Sequence, residues 1–293
     1  MPVSLDLAIN ALIAGVLLGG FYAAVTVGVT IAFGMLDIVN IAHPAFIVLG
    51  SYIAYLGARD LGLDPILIGA LATPLFFLLG MVVYQVYYFC FERRGEESMQ
   101  GLAFFFGLLF VTEIALLLVF GVDYRFVAAP YIGPSLHFGA FELPLRMLVP
   151  FCCSLVMVGL LQLYLSRSFV GRAIMAVSQD REALRLMAID PVRIKRIAFG
   201  LSIATASLAG AFLIIIQPVQ PSVGDDYLGR VFAICVLGGM TSFPGMLAGA
   251  VLIGVVESLT ATFFGPSWSP AVAFGFLLLA LAVRPSGLLG RAG

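Results

Sequence analysis

The sequence predicts an all-α polytopic membrane protein, and three observations carry that prediction. Of its 293 residues, 62% are hydrophobic and 11% charged, whereas soluble domains hold about 45–50% apolar residues, glycine included, and roughly 25% charged. The mean hydropathy is +1.12, and a soluble fold of this size has too much surface for so few charges to cover. Six runs reach the roughly 20 apolar residues that a helix needs to cross about 30 Å of hydrocarbon: Leu7 to Phe33, Pro65 to Phe91, Gly101 to Gly121, Leu143 to Leu165, Ile197 to Ile216 and Met246 to Phe264. Disorder is excluded by the same arithmetic. A net charge of −1 gives no basis for a nucleic-acid partner.

Taken in order, the elements fit this class. Met1 to Asp6 carries no Lys or Arg, so the basic n-region of a cleaved signal peptide is not expected. In the first span Gly15 and Gly19 form a G-x-x-x-G pattern, read as close helix packing. Three shorter runs, Phe46 to Gly57, Leu228 to Met240 and Pro270 to Val283, cross only if tilted, thinned or joined to a broken segment. The expected total is eight or nine crossings in a single domain, residues 1–293. Cys90, Cys152, Cys153 and Cys235 lie in apolar stretches without zinc-site spacing and read as small core residues.

Orientation follows from Lys and Arg, which short cytoplasmic loops retain. Seven of the 15 basic residues fall between Arg167 and Arg196, marking that loop as cytoplasmic. Arg93 and Arg94 mark a second such loop, and Arg284 with Arg291 place the C-terminus on the same side. The N-terminus then lies outside, with Val122 to Glu142 as the largest external loop and Trp268 at the outer interface. Arg230, after Asp225 and Asp226, is expected to face the outer surface, where the acidic pair either contacts a docking protein or is merely solvated.

Two segments suggest related halves. Asn40 to Phe46 and Gly239 to Gly245 each follow a glycine-containing apolar stretch and open a new run with a proline near its start. Such breaks at corresponding places point to discontinuous helices around a pathway, and chance matching in a chain with 32 glycines is the competing reading. Asn40 and His43 either satisfy broken-helix backbone or line a wet path. Glu113 and Glu257 lie within long spans, where they bond neighbouring helices or serve an ion-coupled carrier.

Catalytic chemistry is missing. The single lysine, Lys195, follows Ile194 rather than a glycine-rich loop, so no G-x-x-x-x-G-K-[ST] phosphate cradle exists. His43 and His137 lack nearby metal-ligand partners, and no catalytic residue, metal site or cofactor is expected in this chain. The loop at 167–196 does carry a design. Ser178 caps a short helix, Asp180 and Glu182 complement its dipole, and Ala183, Leu186 and Met187 share one face. Asp190-Pro191 then supplies a cap and an N1 proline for the next span. An apolar face in the cytoplasm wants a partner protein or burial against its own spans.

Gly19-Gly20-Phe21-Tyr22-Ala23-Ala24, Asn40-Ile41-Ala42-His43, Gly171-Arg172-Ala173-Ile174 with Asp180-Arg181-Glu182-Ala183 and Ala188-Ile189, and Leu237-Gly238-Gly239-Met240 to Pro244-Gly245 appear in this order. Together they resemble the permease subunits of branched-chain amino-acid ABC importers, nearer the leucine/isoleucine/valine permease with the shorter N-terminus than its longer companion. The resemblance implies a bacterial inner-membrane permease, surrounded by lipid. Its implied partners are a second related permease, two cytoplasmic ATPases that hold ATP and Mg, and a periplasmic solute-binding protein.

The resemblance also makes the loop helix a coupling helix that docks on an ATPase, through Asp180, Arg181, Glu182, Ala183, Leu186, Met187, Ala188 and Ile189. Leu184 and Ala188 replace an alanine and a glycine of the Glu-Ala-Ala-x-x-x-Gly signature, and Ala188 costs the turn some freedom. Pro44 stands where the family has glycine. The pathway residues read from the same segments are Tyr22, Thr26, Asn40, His43, Phe46, Gly238 and Gly239. The rival expectation is a stand-alone ion-coupled carrier or channel using Glu113 and Glu257. Within the broad family the substrate stays open among branched-chain amino acids, urea or amides, and aromatic or dicarboxylic acids.

Overall fold

A computed structural model describes residues 5–95, 99–138, 141–177, 188–283 and 287. Among these, ten α-helices follow one another: α1 (Leu5–Val29, continued by a π-helical segment, Thr30–Met35), α2 (His43–Leu61), α3 (Pro65–Cys90), α4 (Met99–Phe120), α5 (Leu145–Arg167), α6 (Phe169–Val177), α7 (Pro191–Ile216), α8 (Asp225–Gly238), α9 (Phe243–Phe263) and α10 (Ser269–Val283). Six helices, α1 with its π extension, α3, α4, α5, α7 and α9, are long and apolar enough to cross a membrane. They coincide with the six long runs, and α2, α8 and α10 with the three short ones.

Local chemistry sets the boundaries. Asp64 Oδ1 accepts from the Ile66 amide at 2.8 Å ahead of Pro65, and Asp190 Oδ1 from the Val192 amide at 3.0 Å ahead of Pro191. Ser242 Oγ accepts from the Gly245 amide at 3.1 Å at the start of α9. Each hydroxyl or carboxylate takes up an amide that the first helical turn leaves without a partner.

Helix α7 is the central post, almost wholly buried, with α1 the next most enclosed. Small residues and hydroxyls let its neighbours approach. Ser202 donates to the Gly28 carbonyl of α1 at 2.7 Å, and Ser207 to the Gly69 carbonyl of α3 at 2.8 Å. Ser51 of α2 donates to the Gly210 carbonyl at 2.7 Å. A side chain at Gly210 would strike the Ile47 carbonyl and the Ser51 amide. The expected G-x-x-x-G contact is present: added Cβ atoms at Gly15 and Gly19 would meet the backbone of Val255 and Val251 on α9.

Several expectations are corrected. Cys90 and Cys152 are exposed, and of the four cysteines only Cys235 is buried. An apolar run in a membrane helix clothes its outward face as well as its core, so apolar neighbours do not imply burial. In the stretch from Arg167 to Arg196, read as loop, α6 occupies the first part, whereas α7 begins at Pro191 as the Asp190-Pro191 cap predicts. A tight α5–α6 corner permits this: Gly171 packs against the Leu165 backbone while its amide donates to Ser168 Oγ at 2.8 Å. Val122 to Glu142 contains a strand, β1 (Ser135–Phe138), that pairs antiparallel with β2 (Phe141–Pro144).

Gly210→Ala is expected to lower stability by about 1–3 kcal/mol through overpacking. Gly107→Ala, on α4 with open space around it, should stay within about 0.5 kcal/mol. Thermal unfolding of the detergent-solubilised protein distinguishes the two, and equal effects would contradict the packing described.

Candidate functional site

Helix α1 changes winding at Thr30, where the Thr30 hydroxyl donates to the Thr26 carbonyl at 3.2 Å. π-Helical turns recur at functional sites. The chain then turns back through Asp37, at φ 57°, a conformation that aspartate tolerates better than most side chains. Asn40 Oδ1 accepts from the Ala42 amide at 3.1 Å, and α2 starts at His43 with Pro44 in its first turn.

This return brings predicted residues together. His43 lies against α1, where a Cβ at Gly28 would meet the His43 ring, Thr205 Oγ1 and the Ser202 carbonyl. Thr26, Asn40, His43 and Phe46 are all buried. Thr26 Oγ1 and Asn40 Nδ2 make no hydrogen bond, and the buried His43 ring has the backbone of Val25 as its partner. Unpaired polar groups of this kind cost about 1–3 kcal/mol each, so Thr26 Oγ1 and Asn40 Nδ2, together with the fully buried His43, mark a place that is not optimised for packing alone. Asn40 thus satisfies the broken backbone through Oδ1, while its buried Nδ2 has no hydrogen-bond partner.

Tyr22, one turn before Thr26, belongs to a second group. Its hydroxyl donates to Glu257 of α9, and Arg230 Nε of α8 donates to the other Glu257 oxygen at 2.8 Å. Arg230 Nη1 donates to the Asp226 carbonyl at 2.8 Å, and the guanidinium lies 5.7 Å from the Tyr227 ring centre. The expectation that Arg230 faces outward is thus corrected, since the buried carboxylate of Glu257 draws it in while Asp225 and Asp226 remain exposed. Glu113 is half-buried on α4.

Gly238 and Gly239 end α8, Gly239 with φ 96°. Gly238 lies directly against Gly245, and the Met240 carbonyl abuts Gly34 at the π-helical end of α1. The break at 239–242 thereby seats on the end of the first span. Both breaks open a helix with a proline in its first turn, although the helices preceding them differ greatly in length.

Of the predicted coupling residues, Asp180 to Met187 lie outside the described residues. Ala188, where the signature carries glycine, has φ 58°, a left-handed conformation that costs a non-glycine residue about 1–2 kcal/mol. At the same end of the bundle Lys195 pairs with Glu92, both nearly enclosed, and Tyr84 donates to Glu92 Oε2 at 2.8 Å. Arg196 Nη1 adds a bond to Gln85 at 2.9 Å. Sequence reasoning missed this pair because its members are far apart in the chain, although a lone lysine in an apolar protein was the available signal.

Comparison with known proteins agrees with this architecture. The model of the family described as "Branched-chain amino acid transport system / permease component" matches residues 11–281. The chain belongs to this family. The permease is 31% identical to the high-affinity branched-chain amino acid transport system permease protein BraD of Pseudomonas aeruginosa, across 97% of this chain and 96% of that one. It is 27% identical to the permease protein LivH of Escherichia coli K12, across 94% of each. LivM of the same organism matches over 43% of this chain and 29% of its own, at 34% identity. No solved structure matches.

Ala188→Gly is expected to raise stability by about 1 kcal/mol by relieving the left-handed alanine. Glu92→Gln, which strands the Lys195 charge, should cost about 3–5 kcal/mol, and the double change Glu92→Met with Lys195→Met less than that. Unfolding midpoints of the three variants check both statements.

Proposed function

We propose that the permease forms half of the translocation path of an ATP-binding-cassette importer for branched-chain amino acids, in the bacterial inner membrane. The observation that carries this is the likeness to BraD and LivH over almost the whole of each chain, since their names state that transport. The partial match to LivM supports a second, related permease as companion. A periplasmic binding protein delivers the substrate, and two cytoplasmic ATPases bind ATP and Mg.

The clustered arginines support a cytoplasmic position for the end that carries Glu92 and Lys195, with the N-terminus periplasmic and the C-terminus cytoplasmic. Asp180 to Ile189 receive the ATPase movement and pass it to α7, which contacts α1, α2 and α3. A partner biases only an equilibrium whose states it binds unequally. The buried polar groups of Thr26, Asn40 and His43 fit that requirement, being enclosed in this packing and available to water or substrate in the other. The ion-coupled alternative is disfavoured because Glu257, one of its two carboxylates, is already engaged by Arg230 and Tyr22.

Two measurements test the reading. The complete importer in proteoliposomes should take up leucine with ATP, and uptake by this chain alone under a proton or sodium gradient would overturn it. Leu186→Asp should weaken ATPase docking by about 2 kcal/mol or more, the loss expected of a buried apolar anchor. Normal transport and copurification of the ATPases would contradict the coupling role.

A further inference from the structure

A cavity of about 300 Å³ adjoins the Arg230–Glu257 pair. It lies where α5 begins and α9 ends, the end opposite Glu92 and Lys195. Besides the two charges, its walls are Ala14, Leu18, Met147 and Ala261, with Ser258 and Ser269 among the remaining groups. Small ligand sites begin at about this size, with apolar walls and few oriented polar groups. Glu257 is almost fully buried and Arg230 largely so.

A ligand that took only one of these charges would leave the other buried and unpaired, the costly outcome for an enclosed ion pair. A ligand carrying both signs on adjacent atoms exchanges the pair for two new ones, carboxylate on Arg230 and ammonium on Glu257. Once the pair is exchanged, Arg230 can offer Nε and Nη2 to the two oxygens of the ligand carboxylate while Nη1 stays on the Asp226 carbonyl. The apolar walls suit a short aliphatic side chain. Tyr22 joins Glu257 to the turn of α1 that leads to Thr26 and His43.

We propose that this cavity is a binding site for a zwitterionic α-amino acid within the permease itself, with Arg230 and Glu257 as its two charged determinants. The proposal rests on the transport reading above and restricts it: urea, simple amides and dicarboxylates are rejected here because none of them satisfies both charges. Substrate leaving the binding protein occupies this site before moving toward the break at Asn40.

The test uses the purified permease pair without the binding protein, with leucine, leucinamide and 4-methylvalerate as probes in a thermal-shift titration. Leucine should raise the unfolding temperature, whereas leucinamide, lacking the carboxylate, and 4-methylvalerate, lacking the ammonium, should not. Met147→Trp and Ala261→Leu fill the cavity from two different helices and leave the charges paired. Either should raise the half-saturating leucine concentration at least about tenfold, equivalent to about 1.4 kcal/mol, at an unchanged unliganded unfolding temperature. No leucine response in a pair whose complete importer transports leucine would overturn the site alone, as would equal responses to the three probes or unchanged half-saturation in both filled variants. Failure of the complete importer to transport leucine would instead overturn the reading on which the site rests.

Discussion

Hydrocarbon offers no water to a backbone or side-chain polar group, so such a group inside the span is costly unless it finds its partner within the protein. In this permease α7 meets much of that demand. Its Ser202 and Ser207 bond carbonyls of α1 and α3, and its Gly210 both admits α2 and accepts from Ser51. The close approach that these bonds require is possible only because glycine and serine line the contacts. The same constraint explains where the chain is allowed to break. The turn from Met35 to His43 interrupts helical bonding, and most of it is buried, with Asp37 exposed and Val39 and Ile41 partly so.

Charge is used as sparingly as backbone irregularity. One network, Tyr22 with Glu257 and Arg230, fastens α1, α8 and α9 near one end of the bundle. The other, Lys195 with Glu92 and Tyr84, fastens α3 to the start of α7 at the opposite end. Near them lie Thr26 Oγ1 and Asn40 Nδ2, which this packing leaves without partners, and the fully buried ring of His43. A core optimised for stability alone would have replaced such groups with apolar ones, because an unmade buried hydrogen bond costs more than an absent one.

Much of the architecture was legible in the sequence. Hydropathy and length located all nine helices outside the loops and α6, since both follow directly from the thickness of the hydrocarbon. Asp190-Pro191 gave the start of α7, because a cap and an N1 proline act locally. The break at Asn40 to His43 was equally visible, as polar residues between apolar runs must be explained somewhere. What stayed hidden depends on helix rotation and on partners distant in the chain. Arg230 reads as an outward residue beside Asp225 and Asp226 until Glu257 of α9 is seen to face it. Lys195 reads as one more loop cation until Glu92 is found beside it. The outward positions of Cys90 and Cys152 were obscured because lipid-facing and core-facing residues share one composition.

The transport cycle proposed above requires that the polar groups buried around Asn40 and His43 face water in another packing of the same helices. Only two histidines occur, and His137 is exposed while His43 is fully buried, so carbethoxylation by diethyl pyrocarbonate, read by mass spectrometry, reports each site separately. In the assembled importer at rest His137 should react and His43 should not, and His43 should become reactive during ATP-driven turnover. A His43 that stays unreactive throughout transport would contradict the account.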